Sequence, residues 1–176
     1  GGNLMNRHFV SLLFLSVLVT SITSCAGADS ASLHSAITAE INGESTSIPV
    51  TLYKGSDYSI YIPDEGWDMS RQLDEGDYWV NTENEQVFLN IVMHPGQTPE
   101  DAREDILFSC EGFTFEEMDA KNHFSGEDSF TEQMVDVWLL ETHCGTLIVW
   151  GEYPFSEMGG FKSYLTAIID TLQITD

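Results

Sequence analysis

Gln86-Val87-Phe88-Leu89-Asn90-Ile91-Val92-Met93-His94 is the stretch whose pattern decides the fold class. Successive side chains of a strand point to opposite faces, so Val87, Leu89, Ile91 and Met93 share one face while Phe88 and Val92 share the other. A strand apolar on both faces belongs in the middle of a sheet that is covered on both sides. Pro95 and Gly96 break it. Thr98-Pro99-Glu100-Asp101 then opens a helix, with a threonine cap, proline at the first helical position and acids where the helix dipole favours them. Ala102, Ile106, Leu107 and Cys110 recur at helical spacing, and Gly112 is expected to close the helix as its C-terminal cap.

Upstream of this unit, residues 37–40 lead to Asn42-Gly43, a strong hairpin signal, and 48–53 form the returning strand. Tyr58-Ser59-Ile60-Tyr61-Ile62-Pro63 alternates and ends at proline. Strands are expected at 67–73 and 78–81, between acid- and glycine-containing turns. Downstream, 113–118 reads as a strand and 122–129 as a polar turn. Residues 130–141 and 145–153 are long strands about His143-Cys144-Gly145. Residues 161–170 form a second helix, with Phe161, Tyr164, Leu165, Ile168 and Ile169 on one face, and 172–174 a short last strand. Antiparallel strands interrupted by two helices define an α+β domain, with no internal repeat.

The chain has 176 residues and a formal net charge of −23. Beyond Cys25 its cations are Lys54, Arg71, Arg103, Lys121 and Lys162, against 29 carboxylates. Such a field repels nucleic-acid phosphates and anionic headgroups, excludes a nucleic-acid partner, and favours a soluble monomer that could attract cations or basic partners.

Residues 5–25 carry the address. A short basic head, Met5-Asn6-Arg7-His8, precedes an apolar run from Phe9 to Val19 and the small-residue exit Thr20-Ser21-Ile22-Thr23-Ser24-Cys25. The apolar part is too short for the roughly 20 residues a spanning helix needs and fits a secretory signal. Its ending resembles the lipobox of bacterial lipoproteins, a branched apolar residue and two small residues before the lipid-bearing cysteine. The resemblance implies cleavage before Cys25 and a thioether-linked lipid on it, with more than one acyl chain for stable anchoring. Residues 1–24 are then leader and signal peptide, including Gly1 to Leu4 before the start methionine. Residues 25–35 are a flexible tether, and 36–176 are one domain. Cys110 and Cys144 remain, and an even pair in an exported chain points to one disulfide; the alternative is two buried thiols.

The domain resembles the Mog1/PsbP-like domains. The strand Tyr58 to Pro63 with Gly66-Trp67, the strand 86–94 with its Thr98-Pro99-Glu100-Asp101 helix, and the closing Ile168-Ile169-Asp170-Thr171-Leu172 carry that resemblance over about residues 56–174. It implies a twisted antiparallel sheet with helices packed on its faces, an α/β/α sandwich, and a binding or assembly module without catalytic residues.

No motif of chemistry stands against this. His94, His123 and His143 lack the spacing of a zinc site. The acidic loops fail the calcium-loop pattern, since Gly76 and Tyr78 stand where oxygen ligands are needed counting from Asp74. Cys144 follows His143 directly, and strand neighbours point apart. No Gly-x-Ser-x-Gly is present. No cofactor, metal or catalytic residue is therefore assigned. Tyr58, Tyr61, Trp67, Tyr78 and Trp79 are the candidates for a ligand groove, with core packing as the alternative; Trp67 in particular is expected to be structural. The reading is a non-enzymatic, lipid-anchored envelope domain that binds another protein or a small ligand. An envelope hydrolase and a cation-dependent surface module are the alternatives.

If Cys25 bears the lipid, Cys25→Ser expressed in a bacterial host will stop incorporation of a labelled fatty acid. Undiminished labelling would refute the assignment.

Overall fold

The computed structural model describes residues 33–72, 76–117 and 122–175. Its elements run β1 (His34–Ile41), β2 (Glu44–Lys54), β3 (Tyr58–Pro63), β4 (Trp67–Gln72), β5 (Gly76–Asn81), β6 (Phe88–Pro95), α1 (Pro99–Ser109), β7 (Thr114–Glu117), β8 (His123–Asp128), β9 (Gln133–Glu141), β10 (Gly145–Pro154), α2 (Phe161–Ile169) and β11 (Gln173–Ile174). A 3-10 turn, Phe155–Glu157, precedes α2. The signal segment and Cys25 lie outside the described residues, as does most of the tether. Among the described residues no helix is long and apolar enough to cross a membrane.

The strands pair antiparallel, but in two sheets rather than the one expected. β1-β2-β3-β11 form a four-stranded sheet and β4-β5-β6-β10-β9-β8-β7 a seven-stranded one. The split falls after Pro63, where β3 ends its pairing with β2 opposite Val50. Proline has no N–H to extend a ladder. Gly66, at φ 82, then supplies a left-handed residue that turns the chain into the larger sheet.

β6 lies inside the large sheet between β5 and β10, as its two-faced pattern requires. Leu89 and Ile91 of β6 and Leu147 and Val149 of β10 are buried against Leu165 and Ile168 of α2 and Ile60 of β3. The small sheet and α2 therefore share the cover of one face. Each such aliphatic side chain contributes about 1.5–3 kcal/mol on burial, so this is the principal core. Gly151 of β10 lets α2 come close: a Cβ there would lie 3.1 Å from Leu165 Cδ1.

The opposite face is covered by α1, through Ala102 and Ile106 packed on Val135, Val137, Leu139 and Ile148. Thr98 caps α1 as expected, its Oγ1 accepting from Asp101 N at 3.2 Å while Asp101 Oδ2 accepts from Thr98 N at 3.2 Å. The apolar side of α1 is narrower than its spacing promised. Leu107 is 42% exposed and Phe108 82%; the apolar side chains turned to the sheet are those of the row Ala102, Ile106, Cys110, and Leu107 sits about 100° from Ile106. The helix also ends before Gly112, with Cys110 at its C-cap.

Residues 122–129 are not a polar turn but contain β8, paired with both β7 and β9. The strand was hidden because only Phe124 is a large apolar residue in it. Gly126, opposite Phe115 in the register, reads as a breaker yet is required there. A Cβ on Gly126 would stand 2.5 Å from Phe115 Cε1.

Trp67 is half-buried at the start of β4. Its Nε1 donates to Tyr164 Oη at 3.3 Å and the two rings lie 6.1 Å apart, which ties β4 to α2. A fully buried aromatic loses about 3–5 kcal/mol on truncation to alanine. Trp67→Ala should therefore lower the unfolding free energy by about 2–3 kcal/mol, and Trp67→Phe by less, read from urea midpoints. An unmoved midpoint for Trp67→Ala would place the ring outside the packing.

Candidate functional site

α1 sits over β9 and β10 and leaves part of the same face uncovered over β5 and β6. The result is a groove of about 460 Å³ between helix and sheet. Its floor is Tyr78 of β5, Phe88, Asn90, Val92 and His94 of β6, and Trp150 of β10. Its wall is Ala102, Asp105, Ile106, Ser109 and Cys110 of α1. The floor follows directly from strand alternation: Phe88, Asn90, Val92 and His94 are the second face of β6, half apolar, where the first face is aliphatic throughout. Tyr78 and Phe88 pack at 5.2 Å between ring centroids and form the aromatic end of the floor.

Polar groups punctuate this surface sparsely. Gln97 donates through Nε2 to Asp105 Oδ2 at 2.7 Å, while its Oε1 is buried with no hydrogen-bond partner. Such an atom costs about 1–3 kcal/mol. Burial, and then the negative charge of Glu152, push the Cys110 thiol above its ordinary range, so it is a neutral thiol and not a thiolate nucleophile at neutral pH.

The five aromatic candidates are not brought together. Tyr58 and Trp79 are core residues, 3% and 2% exposed, with Tyr53 edge-on to Trp79 at 5.0 Å. Tyr61 is half-buried on β3, its backbone N–H donating to Thr171 Oγ1 at 2.9 Å. Trp67 faces Tyr164. Only Tyr78 lines the groove, because it and Trp79 are strand neighbours pointing to opposite faces. Cys110 and Cys144 are both free thiols, against the expected disulfide. Cys144 lies in the β9–β10 turn, its carbonyl accepting from Gly96 N at 2.8 Å beside the start of α1, whereas Cys110 is at the helix's far end. The 11-residue helix between them spans about 16 Å, and a disulfide tolerates about 7 Å between Cα atoms.

The sequence also concealed a polar cluster on the α2 side of the large sheet. Asp136 of β9 is 1% exposed. Its Oδ2 accepts from Tyr153 Oη at 2.6 Å, and its Oδ1 lies 3.2 Å from His123 Nε2 and 3.5 Å from Lys162 Nζ of α2. His123 stacks on Trp138 with ring centroids 4.3 Å apart. Burial alone would raise the Asp136 pKa. The His123 hydrogen bond, the Lys162 charge and the Tyr153 hydrogen bond outweigh it and hold the carboxyl below its ordinary value. One signal was legible: a lone aspartate within an otherwise apolar strand demands partners. A second buried aspartate, Asp77 of β5, accepts from Tyr58 Oη at 2.5 Å and links the two sheets. Among the described residues no grouping of three His, Cys, Asp or Glu side chains is placed to hold a metal ion.

No protein-family model matches this chain, and no curated protein sequence does. Among solved structures, a crystal structure from Bacteroides thetaiotaomicron VPI-5482 is similar over 72% of this chain and 48% of its own, at 14% identity and a TM-score of 0.46. The chain thus spans about half the length of that protein. The solution structure of the cyanobacterial PsbP protein CyanoP from Synechocystis sp. PCC 6803 is similar over 88% of this chain and 99% of its own, at 12% identity and a TM-score of 0.49.

Removing Asp136 leaves Lys162 without its buried counter-charge and the His123 and Tyr153 side chains without their hydrogen-bond partner, and Asp136→Ala should cost about 3 kcal/mol. Because the folded-state carboxyl is held low, its contribution is complete above about pH 4 and drains away as pH falls through the lower folded value. Urea midpoints followed downward from neutral pH should show the wild-type advantage over Asp136→Asn shrinking in acid. An advantage independent of pH would contradict the ionised pairing.

Proposed function

We propose that this chain is a non-enzymatic, lipid-anchored domain of the bacterial cell envelope that holds a small, uncharged, mostly apolar ligand in the groove beneath α1. The observation that carries the reading is the groove itself: about 460 Å³, within the range of small-molecule sites, apolar and aromatic with a few convergent polar atoms. The net charge of −23 opposes an anion. The lipid on Cys25 rests on the signal segment alone. Placing α1 on one face of the large sheet and α2 on the other supports a Mog1/PsbP-like sandwich in which the small sheet shares the α2 layer.

A hydrolase is less well supported. His123 turns Nε2 to Asp136 and stacks its ring on Trp138, and among the described residues no serine or cysteine is bonded to it. The acyl or peptidyl chemistry of such an enzyme needs a nucleophile within reach of that base.

The neutral fluorophore N-phenylnaphthylamine, apolar with one N–H, should brighten on binding the purified full chain. The anionic anilinonaphthalenesulfonate should bind at least about tenfold more weakly, a difference of roughly 1.4 kcal/mol. Ser109→Trp, at an exposed position on the groove wall, should weaken the neutral probe about tenfold without moving the melting temperature. Unchanged affinity in Ser109→Trp would remove the groove as the site.

A further inference from the structure

A second cavity, of about 370 Å³, opens at the end of the molecule where the turns after β1, β3 and β5 meet the start of α2. Two opposite kinds of group face it. Glu65, Glu83 and Glu157 stand around it as acceptors, while Asn81, Tyr164 and the N-terminal end of α2 present donors. We propose that this cavity is a binding site for a small zwitterion of the free α-amino-acid class, with its ammonium at the glutamates and its carboxylate at Asn81 and the helix end.

Asn81 is the decisive group. It is only 6% exposed yet lines the cavity. Its Oδ1 accepts from the backbone N–H groups of Glu83 and Asn84, both at 3.0 Å, which fixes the amide so that Nδ2 is the free end. Nδ2 faces Gly66, also on the cavity wall, with 3.9 Å to the place a Cβ would occupy. With its oxygen committed to the turn, the NH₂ of Asn81 is left to donate to a ligand oxygen in the cavity it lines.

Two further donors agree. Gly160 at the N-cap of α2 brings no side-chain cap, and the positive end of the helix dipole favours a carboxylate beside it. Tyr164 Oη accepts from Trp67 Nε1 at 3.3 Å, which leaves its own O–H to donate. A simple cation would ignore these donors, and a simple anion would be repelled by the three glutamates; a zwitterion uses both. The absence of a metal-holding grouping among the described residues fits carboxylates spread around an extended ligand. Phe161 and Tyr164, packed edge-to-face at 6.0 Å, give an apolar or aromatic side chain its platform.

The test is an NMR titration of the full chain with L-phenylalanine, 2-phenylethylamine and 3-phenylpropanoate, which share a ring and differ in charge. L-Phenylalanine should shift the Asn81 side-chain NH₂ and the first-turn amides of α2, and bind at least about tenfold more tightly than either half-analogue. Asn81→Asp keeps the oxygen that caps Glu83 and Asn84 but replaces the donor by a negative charge. It should weaken L-phenylalanine by about tenfold or more and leave 2-phenylethylamine no weaker. Glu83→Gln, which disturbs only the rim, should weaken L-phenylalanine and 2-phenylethylamine alike. Equal affinity for L-phenylalanine and 2-phenylethylamine would reduce the site to a cation site and overturn the proposal. So would no shift at millimolar L-phenylalanine, or shifts confined to the α1 groove.

Discussion

Everything in this fold answers one constraint: the central strands β6 and β10 are apolar on both faces and must be covered twice. Water on either face would expose several aliphatic side chains at about 1.5–3 kcal/mol each. The two covers are unequal. The aliphatic face, with Leu89, Ile91, Leu147 and Val149, receives α2 and a complete second sheet. The mixed face receives only α1, whose one buried residue is Ala102. A helix anchored by so little apolar contact depends on its ends, and the Thr98–Asp101 capping box contributes about 1 kcal/mol of what holds it. The groove is what the narrower cover leaves open. Elements with few buried contacts are also the first to open locally, so the wall of the groove is the least firmly held part of the large sheet's surroundings.

Buried charge supplies what apolar contact cannot specify. Apolar packing tolerates sliding between α2 and the sheet; a carboxylate between Lys162, His123 and Tyr153 does not, since any shift strands an ion in low dielectric. Tyr58 and Asp77 play the same part between the two sheets. Each pair sets a tyrosine hydroxyl on a buried carboxylate; Asp136 ties β9 to α2 through Lys162, and Asp77 ties β5 to β3 through Tyr58. Desolvation makes such pairs poor sources of net stability, so their contribution here is to geometry.

How far the sequence could be followed depends on how local each cause was. Alternation in 86–94, the Asn42-Gly43 turn and the Thr98 cap are local, and the structure has all three where the residues place them. The strand β8 was lost because its neighbours, not its own residues, make it a strand: Gly126 is dictated by the ring of Phe115 across the ladder. The division into two sheets hinges on Pro63 and Gly66, which read as an ordinary turn until the partners of each strand are known. Tyr58, Trp67 and Trp79 carried the right chemistry for a groove but lie on the side filled by α2, and strand alternation alone does not say which face a helix takes. Asn81 and Gln97 left no trace in sequence, since an unused amide atom is a property of surroundings.

Charge then determines what such surfaces can hold. Lys162 is committed to Asp136, and Arg103 lies 5.7 Å over the Phe124 ring, so two of the few cations are drawn inward and carboxylates dominate the exterior. At physiological ionic strength that field is screened within about 8 Å, which confines its influence to the mouths of the two cavities. The interior of each then discriminates by its own atoms. The α1 groove offers aromatic and aliphatic walls with few polar atoms, and the cavity beside α2 offers donors and acceptors together. A neutral apolar molecule satisfies the first and leaves the donors of the second unused. A zwitterion satisfies the second and would desolvate both charges in the first without compensation, at several kcal/mol per ion. The two proposed sites on this acidic chain therefore ask for ligand chemistries that exclude one another.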